Sequence, residues 1–357
     1  MRHTWPIIND GVSMSIHNRH WTVRADDDPD AVCLVVDLDG PREQYDPSVT
    51  NPNVVHQGQR KLLVAEVAAL TYWYNTHHDG GRHPTVVYVG AAPGTHLYFL
   101  ARLFPRARFQ LFDPAPFDTR LMALPGFEIN SRDFTSADAF QASTIKNSVL
   151  FCDIRRGRAD FEAGVAEDMA TQREWVAVMR PSLSLLKFRI PYNLPPESDL
   201  EYLEGRLQYG VWSKPMSGET RLLVTSEDLD KTRLYSVMRY EQVLFRHNHS
   251  VRGRAVRAVD PSFLPHVTAP NNQYCACFDC QAELTVFDIY AKLSSARKCT
   301  KLVSLSDVTS AFCRWWKRPS FAKIIYGKDI QHERPAPSNR VGQQRRTTER
   351  VLCGNGA

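Results

Sequence analysis

The stretch VVYVGAAPGTHLYFLARLF, Val86 to Phe104, runs an apolar, valine-rich strand into two glycines around a proline, then into apolar residues at helical spacing. A strand that turns through glycine into a helix opens a doubly wound α/β fold, in which ligands sit outside the carboxyl ends of the strands. Gly90 and Gly94 let a ligand approach the backbone, and Pro93 stiffens the turn. The next apolar run, RFQLFD (Arg108–Asp113), ends in an acid placed to take both hydroxyls of a ribose. Two readings fit the loop: a cofactor cradle, or a tight turn that only packs helix on strand. As a cradle, G-A-A-P-G lacks the third glycine with which G-x-G-x-x-G admits a pyrophosphate. S-adenosylmethionine, which has no phosphate, therefore suits it better than a dinucleotide.

Strand and helix patterns alternate around this unit. Further strands are expected at FEIN (127–130), SVLFCD (148–153), SLSLLKFRI (182–190) and TRLLVTS (220–226). Helical spacing marks 58–75, with Leu62, Leu63, Val67, Leu70 and Tyr74 on one side, and then 95–104, 160–179, 197–209, 275–297 and 306–318. Strands without strict alternation, separated by helices, predict a mostly parallel sheet covered on both faces. With 357 residues, 43% of them hydrophobic, the chain can bury a sizeable core. It has no run of about 20 apolar residues, and MRHTWPIIND lacks the apolar segment of a signal peptide, so a soluble intracellular protein is expected. Eight cysteines in such a chain make reduced thiols the default. The net charge of +5 is uneven: from Lys317 onward nine Lys and Arg face three Asp and Glu. Any basic groove must therefore be local. Residues 1–55 read as an extension rich in Asp, Pro and Asn, 56–325 as the main domain, and 326–357 as a basic, disordered tail.

Polar residues recur at the edges of the apolar runs. SVLFCD delivers Asp153, SLSLLKFRI embeds Lys187, GETRLLVTS opens on Glu219, and GQRKLLVAE carries Lys61. A lysine inside SLLKF is costly to bury as a cation, so its pKa is expected to fall unless carboxylates surround it. Singly, each has a bland role: strand-end acids cap or pair, and lysines snorkel outward. Four converging on one sheet edge point to chemistry.

Lys-Asp-Lys-Glu in this order resembles the tetrad of RNA ribose 2′-O-methyltransferases. The resemblance is closer still to the poxvirus family of cap-specific 2′-O-methyltransferases that also serve as poly(A) polymerase small subunits. It rests on YDP (45–47), QGQRKLL (57–63), VVYVGAAPGTH (86–96), CDIR (152–155), LKFRIPY (186–192), ETRLL (219–223) and YEQVLFRHNHSVR (240–252), in the family's order. The resemblance implies a Rossmann-like S-adenosylmethionine-dependent methyltransferase fold. It implies Lys61, Asp153, Lys187 and Glu219 as catalytic, with Lys187 as general base and no metal. S-adenosylmethionine would lie against Gln59, Tyr88, Gly90, Ala92, Gly94, Asp113, Arg132, Phe134, Asp153 and Arg155. Capped mRNA would be the substrate, with 7-methylguanine between Tyr45 and Tyr192, Glu241 on its Watson–Crick edge, and Arg189, Ser217 and Gly218 beside the RNA. A cationic base suits aromatic faces and a carboxylate. A poly(A) polymerase catalytic subunit is an implied partner, no membrane is involved, and the location would be virion and host cytoplasm for a viral chain, cytoplasm otherwise. Two positions depart from the family. Leu194 stands where a second cap-binding acid is expected, with Glu197 and Asp199 nearby, and Ala115 stands where the family has an arginine.

Other signals are weaker. YCACFDC (274–280) spaces Cys275, Cys277 and Cys280 as C-x-C-x-x-C, which with His266 or His249 resembles half of a zinc site, but core cysteines fit better. SAFCRWWKR (310–318) reads as an amphipathic helix. RRGR (155–158) and the basic run 246–257 fit either a solvated face or a groove for RNA phosphates.

Overall fold

The computed structural model describes residues 6–9, 12–15, 34–50, 54, 56–77, 83–157, 159–252, 278–294 and 298–315. Strands β1 (Pro6–Asn9) and β2 (Val12–Ser15) pair antiparallel as a separate hairpin. Helix α1 (Gly58–Thr76) buries Leu62, Leu63, Val67, Leu70 and Tyr74, the expected stripe. There follow β3 (Thr85–Val89), α2 (Leu97–Leu103), β4 (Arg108–Phe112), β5 (Phe127–Asn130), α3 (Ser136–Ala142), β6 (Ser148–Cys152), α4 (Phe161–Met179) and β7 (Leu183–Phe188). Beyond these lie β8 (Asp199–Leu203), β9 (Arg206–Tyr209), β10 (Thr220–Thr225), β11 (Thr232–Ser236), α5 (Val237–Arg246), α6 (Phe278–Lys292) and α7 (Leu305–Trp315).

Seven strands form the main sheet in the order β5-β4-β3-β6-β7-β10-β9. From β5 to β7 all pairs are parallel, and β10 runs antiparallel to both β7 and β9. The chain steps outward through β3, β4 and β5, then returns to place β6 on the other side of β3. Right-handed crossovers put α2 and α4 on opposite faces, because their strands advance in opposite directions. The switch of direction lies between β3 and β6, so the crevice at their carboxyl ends is the place for a ligand. Both strands are buried there, Val86–Val89 and Ser148–Cys152 alike. This is the Rossmann-like methyltransferase architecture that the sequence predicts.

One expectation needs correction. Residues 197–209, expected to be helical, form β8 and β9. Leu200 with Tyr202, and Leu207 with Tyr209, recur at a period of two, and that alternation is satisfied by pairing β8 with β11 and β9 with β10. The backbone approaches so closely that a Cβ at Gly205 would collide with the Leu223 carbonyl. The sheet is mostly parallel, as expected, and its two antiparallel pairings, of β10 with β7 and with β9, lie toward one edge. β9 reaches β10 through a short loop without a crossover helix, which permits only antiparallel pairing. Along the outer edge, Val36 N–H donates to Leu207 O at 2.7 Å and Tyr209 N–H to Leu34 O at 3.0 Å. Part of the N-terminal extension thus lines the sheet, and Glu43 N–H then reaches Gln242 O on α5. Among the described residues no helix is long and apolar enough to cross a membrane.

Candidate active site

The glycines are bare for a reason that the sequence did not reveal. Gly90 has φ +76°, and a Cβ there would stand 2.9 Å from the Asp153 carbonyl carbon. Gly94, with φ +65°, is crowded by Ala91 O and the side chains of Leu97 and Leu121. The room at Gly90 is filled by the Asp153–Ile154 peptide, so its first task is to bring β3 and β6 together. Asp153 N–H donates to Val89 O at 2.9 Å, which locks the two strand ends. Asp113, ending β4, accepts from Ala92 N–H at 3.0 Å and from Ala115 N–H at 2.8 Å. The acid therefore shapes the loop and stays half-exposed at the crevice.

The other cofactor candidates fall into two groups. Gln59 caps the far side of the loop, its Oε1 accepting from Thr95 Oγ1 at 2.8 Å and lying 2.8 Å from His96 Nδ1. Phe134 packs edge-on against Phe112 and Trp175 at the ends of β4 and β5. Arg132 is bonded through both terminal nitrogens to Asp138, so its guanidinium is committed to the start of α3. Arg155 lies 3.5 Å from Asp168. Tyr88 is buried on β3, and its hydroxyl donates to Glu66 Oε1 at 2.6 Å.

Next to the loop, Lys61, Asp153, Lys187 and Glu219 come from α1, the end of β6, β7 and the start of β10. Lys187 Nζ lies 3.1 Å from Asp153 Oδ1 and 3.6 Å from Glu219 Oε2. Lys61 makes a short ion pair with Glu219. A fifth member joins them. Arg221 is buried on β10, with Nη2 2.6 Å from Asp153 Oδ1 and 3.2 Å from Glu219 Oε1. Three cations thus surround two carboxylates. Burial alone would raise the Glu219 carboxyl, but Arg221, Lys61 and Lys187 outweigh it and hold it down at about 2. Burial also opposes ionisation of Asp153, and Arg221, Lys187 and Lys61 overcome it, leaving the carboxyl well below its ordinary value. Lys61 moves the opposite way from a typical paired lysine. Burial first, then Arg221, lower its ammonium, and Glu219 and Asp153 only partly compensate. Gln172 of α4 brackets the Lys187 backbone at 3.1 Å on both its N–H and its C=O.

A second cluster adjoins the first. Tyr192 and Tyr45 are both exposed, and Tyr45 meets Phe245 of α5 edge-on with centroids 5.4 Å apart. The Arg189 guanidinium lies 4.0 Å from the Tyr192 ring centre. Glu162 holds this pair, bonding Arg189 and accepting Tyr192 N–H at 2.7 Å. Although much of Tyr192 is exposed, its hydroxyl packs over Gly218, and the phenol is raised, first by this local burial and then by Glu162, Tyr45 and Glu241, against the effect of Arg189. A Cβ at Gly218 would collide with that hydroxyl. Ser217 Oγ accepts from Glu219 N–H at 3.2 Å. Arg246 faces Glu43 at 3.6 Å.

The sequence profile of the family described as poly A polymerase regulatory subunit matches residues 29–307. The chain belongs to this family. Curated relatives of this family member carry the name cap-specific mRNA (nucleoside-2′-O-)-methyltransferase. The Fowlpox virus (strain NVSL) protein is 28% identical over 240 residues, covering 61% of this chain and 76% of the relative. The Myxoma virus (strain Lausanne) protein is 24% identical over 340 residues, covering 87% and 92%. Among solved structures, a SAM-bound amino pentose methyltransferase from Micromonospora echinaspora is 17% identical and covers 49% of this chain and 76% of its own, at a TM-score of 0.22. That overlap is too loose to inform the site.

In this family member the departures also find their places. Leu194 packs against the core, while Glu197 and Asp199 are exposed. Ala115 contributes only its backbone N–H, to Asp113. Sequence reading missed Arg221 and Glu162. An arginine inside the apolar run TRLLVT is as costly as the lysine in SLLKF and was the available signal. Glu162 had none, since an acid in the first turn of a helix reads as dipole compensation. Cys275, Cys277 and His266, Arg158, the basic residues 253–257 and the tail 326–357 lie outside the described residues, as does the side chain of Cys280. His249 pairs with Glu43 at 3.1 Å.

Proposed function

We propose that this chain methylates the ribose 2′-hydroxyl of the first transcribed nucleotide of 7-methylguanosine-capped mRNA, with Lys187 as general base. The observation that carries this reading is the cluster of three cations and two carboxylates beside the glycine loop. S-adenosylmethionine supplies the methyl group on a sulfonium that is its own leaving group. The crevice suits it: Asp113 is available for ribose hydroxyls, and the G-A-A-P-G loop offers no basic side chain to a pyrophosphate. Lys187 takes the proton from the attacking hydroxyl. Asp153 and Glu219 hold the amine in line, and Arg221 keeps both carboxylates ionised. Tyr45 and Tyr192 sandwich the cationic base of the cap, with Glu241 on its edge. Residues 34–50 of the extension complete that pocket, residues 56–325 form the methyltransferase domain, and 326–357 are a basic tail. Such an enzyme acts in the cytoplasm, and in the virion if the chain is viral.

A second role coexists with this one. The description of the matching family, poly A polymerase regulatory subunit, supports a subunit that assembles with a poly(A) polymerase. The decisive experiment incubates the protein with labelled S-adenosylmethionine and short RNAs bearing a methylated cap, an unmethylated cap or none. Label on the 2′-oxygen of the methylated-cap RNA supports the proposal. Equal labelling of all three leaves a general ribose methyltransferase, and absence of labelling leaves the polymerase subunit.

A further inference from the structure

Lys61 and Glu219 close the charged cluster, yet each sits at the end of a segment that no strand of the sheet holds. Lys61 lies in the first turn of α1, and Glu219 follows the loop 210–218. Beside both lies a buried assembly on α6. Arg60, the neighbour of Lys61, is completely buried. Its Nε and Nη2 bond Glu283 at 2.5 and 2.7 Å, and its guanidinium lies 4.0 Å from the ring centre of Trp212. Glu283 also accepts Trp212 Nε1–H at 2.7 Å. One turn earlier on α6, Asp279 accepts Trp212 N–H at 2.9 Å and is bonded twice by Arg252. Arg252 in turn donates to Ser213 O at 3.0 Å. On the other side, Gln57 N–H donates to Trp212 O at 3.0 Å, tying the start of α1 to the same residue.

Trp212 has φ +60°, a conformation that a bulky side chain adopts only where its surroundings over-determine it. Here its amide, carbonyl, indole N–H and ring face are all engaged. We propose that Asp279 and Glu283 are positioning residues which, through Trp212 and Arg60, hold Glu219 and Lys61 at ion-pairing distance. Neither acid touches the reacting atoms. The inference rests on the methyltransferase reading for its kinetic consequence, but not for its geometry.

Glu283→Gln and Trp212→Phe, which keeps an aromatic face but removes the indole N–H, test it. A misplacement of about 1 Å in a catalytic group costs on the order of 10²-fold in rate. Both variants should lose kcat toward that extent, with S-adenosylmethionine affinity unchanged within about two-fold, because the cofactor rests on the β3 and β4 ends. In a double-mutant cycle with Glu219→Gln, the losses should be strongly non-additive. Competitive acylation of lysines, read by mass spectrometry, needs no substrate. Lys61 labelling should change several-fold in both variants while exposed Lys231 stays constant. Additive kinetic losses, or unaltered Lys61 labelling in correctly folded variants, would overturn the proposal. Altered Lys61 labelling in a protein whose wild type transfers no methyl group would instead preserve this inference and remove the activity.

Discussion

At the scale of the residue, Lys187 is held between two carboxylates that cannot easily be protonated. If it is the base, Lys187→Ala should lower methyl transfer by about 10²–10⁴-fold while S-adenosylmethionine affinity stays within a few-fold. Single-turnover rates beside calorimetry check this, and retention of more than half the activity would reassign the base. Glu219 yields a prediction about stability. Its folded carboxyl sits at about 2, against roughly 4.3 in an unfolded chain. Because the folded value is the lower one, its contribution is fully present above about 4.3 and disappears as the pH falls toward 2. Glu219→Gln should therefore flatten the decline of stability across that acid window, measured by urea unfolding at stepped pH. An unchanged slope would mean that the cluster does not hold Glu219 ionised.

At the scale of the element, the β3–loop–α2 unit is shaped by the peptide of β6 behind it. Gly90→Ala places a methyl group against the Asp153–Ile154 backbone at a positive φ. The expected cost is about 1–3 kcal/mol of folding stability, seen as a lower urea midpoint. Asp153 should move with the loop, so activity should fall more than cofactor binding does. A variant with wild-type midpoint and rate would show that the close approach is readily relieved. The segment that became β8 and β9 teaches the converse lesson. Its charged residues read as a helix face until β10 and β11 provide edges to pair with, and tertiary pairing then overrides local propensity.

At the scale of the molecule, the proposed cap pocket would draw on three distant stretches: the extension with Tyr45, the segment after β7 with Tyr192, and α5 with Glu241. Each ring should contribute stacking on the order of 1–3 kcal/mol to a methylated cap. Tyr192→Ala should therefore weaken a methylated cap analogue at least several-fold and leave cofactor affinity nearly unchanged. An unmethylated analogue should bind the wild type poorly and respond little to the substitution. Fluorescence titration of both analogues checks this, and equal wild-type affinities would remove cap selectivity.

From the sequence alone, apolar periodicity and the glycine turn determined the α/β class, the stripe on α1 and the strands that carry Asp153, Lys187 and Glu219. Those signals are local, and burial of an apolar face is decided within a few residues. Resemblance added the order Lys61, Asp153, Lys187, Glu219, and the fold brings all four within one charged cluster. Only the tertiary structure revealed Arg221 as its fifth member, Glu162 behind Tyr192, and Arg60 joined to Glu283 across more than two hundred residues. Buried charges choose partners by distance in space rather than along the chain, and the cost of leaving one unpaired binds such remote pairs together.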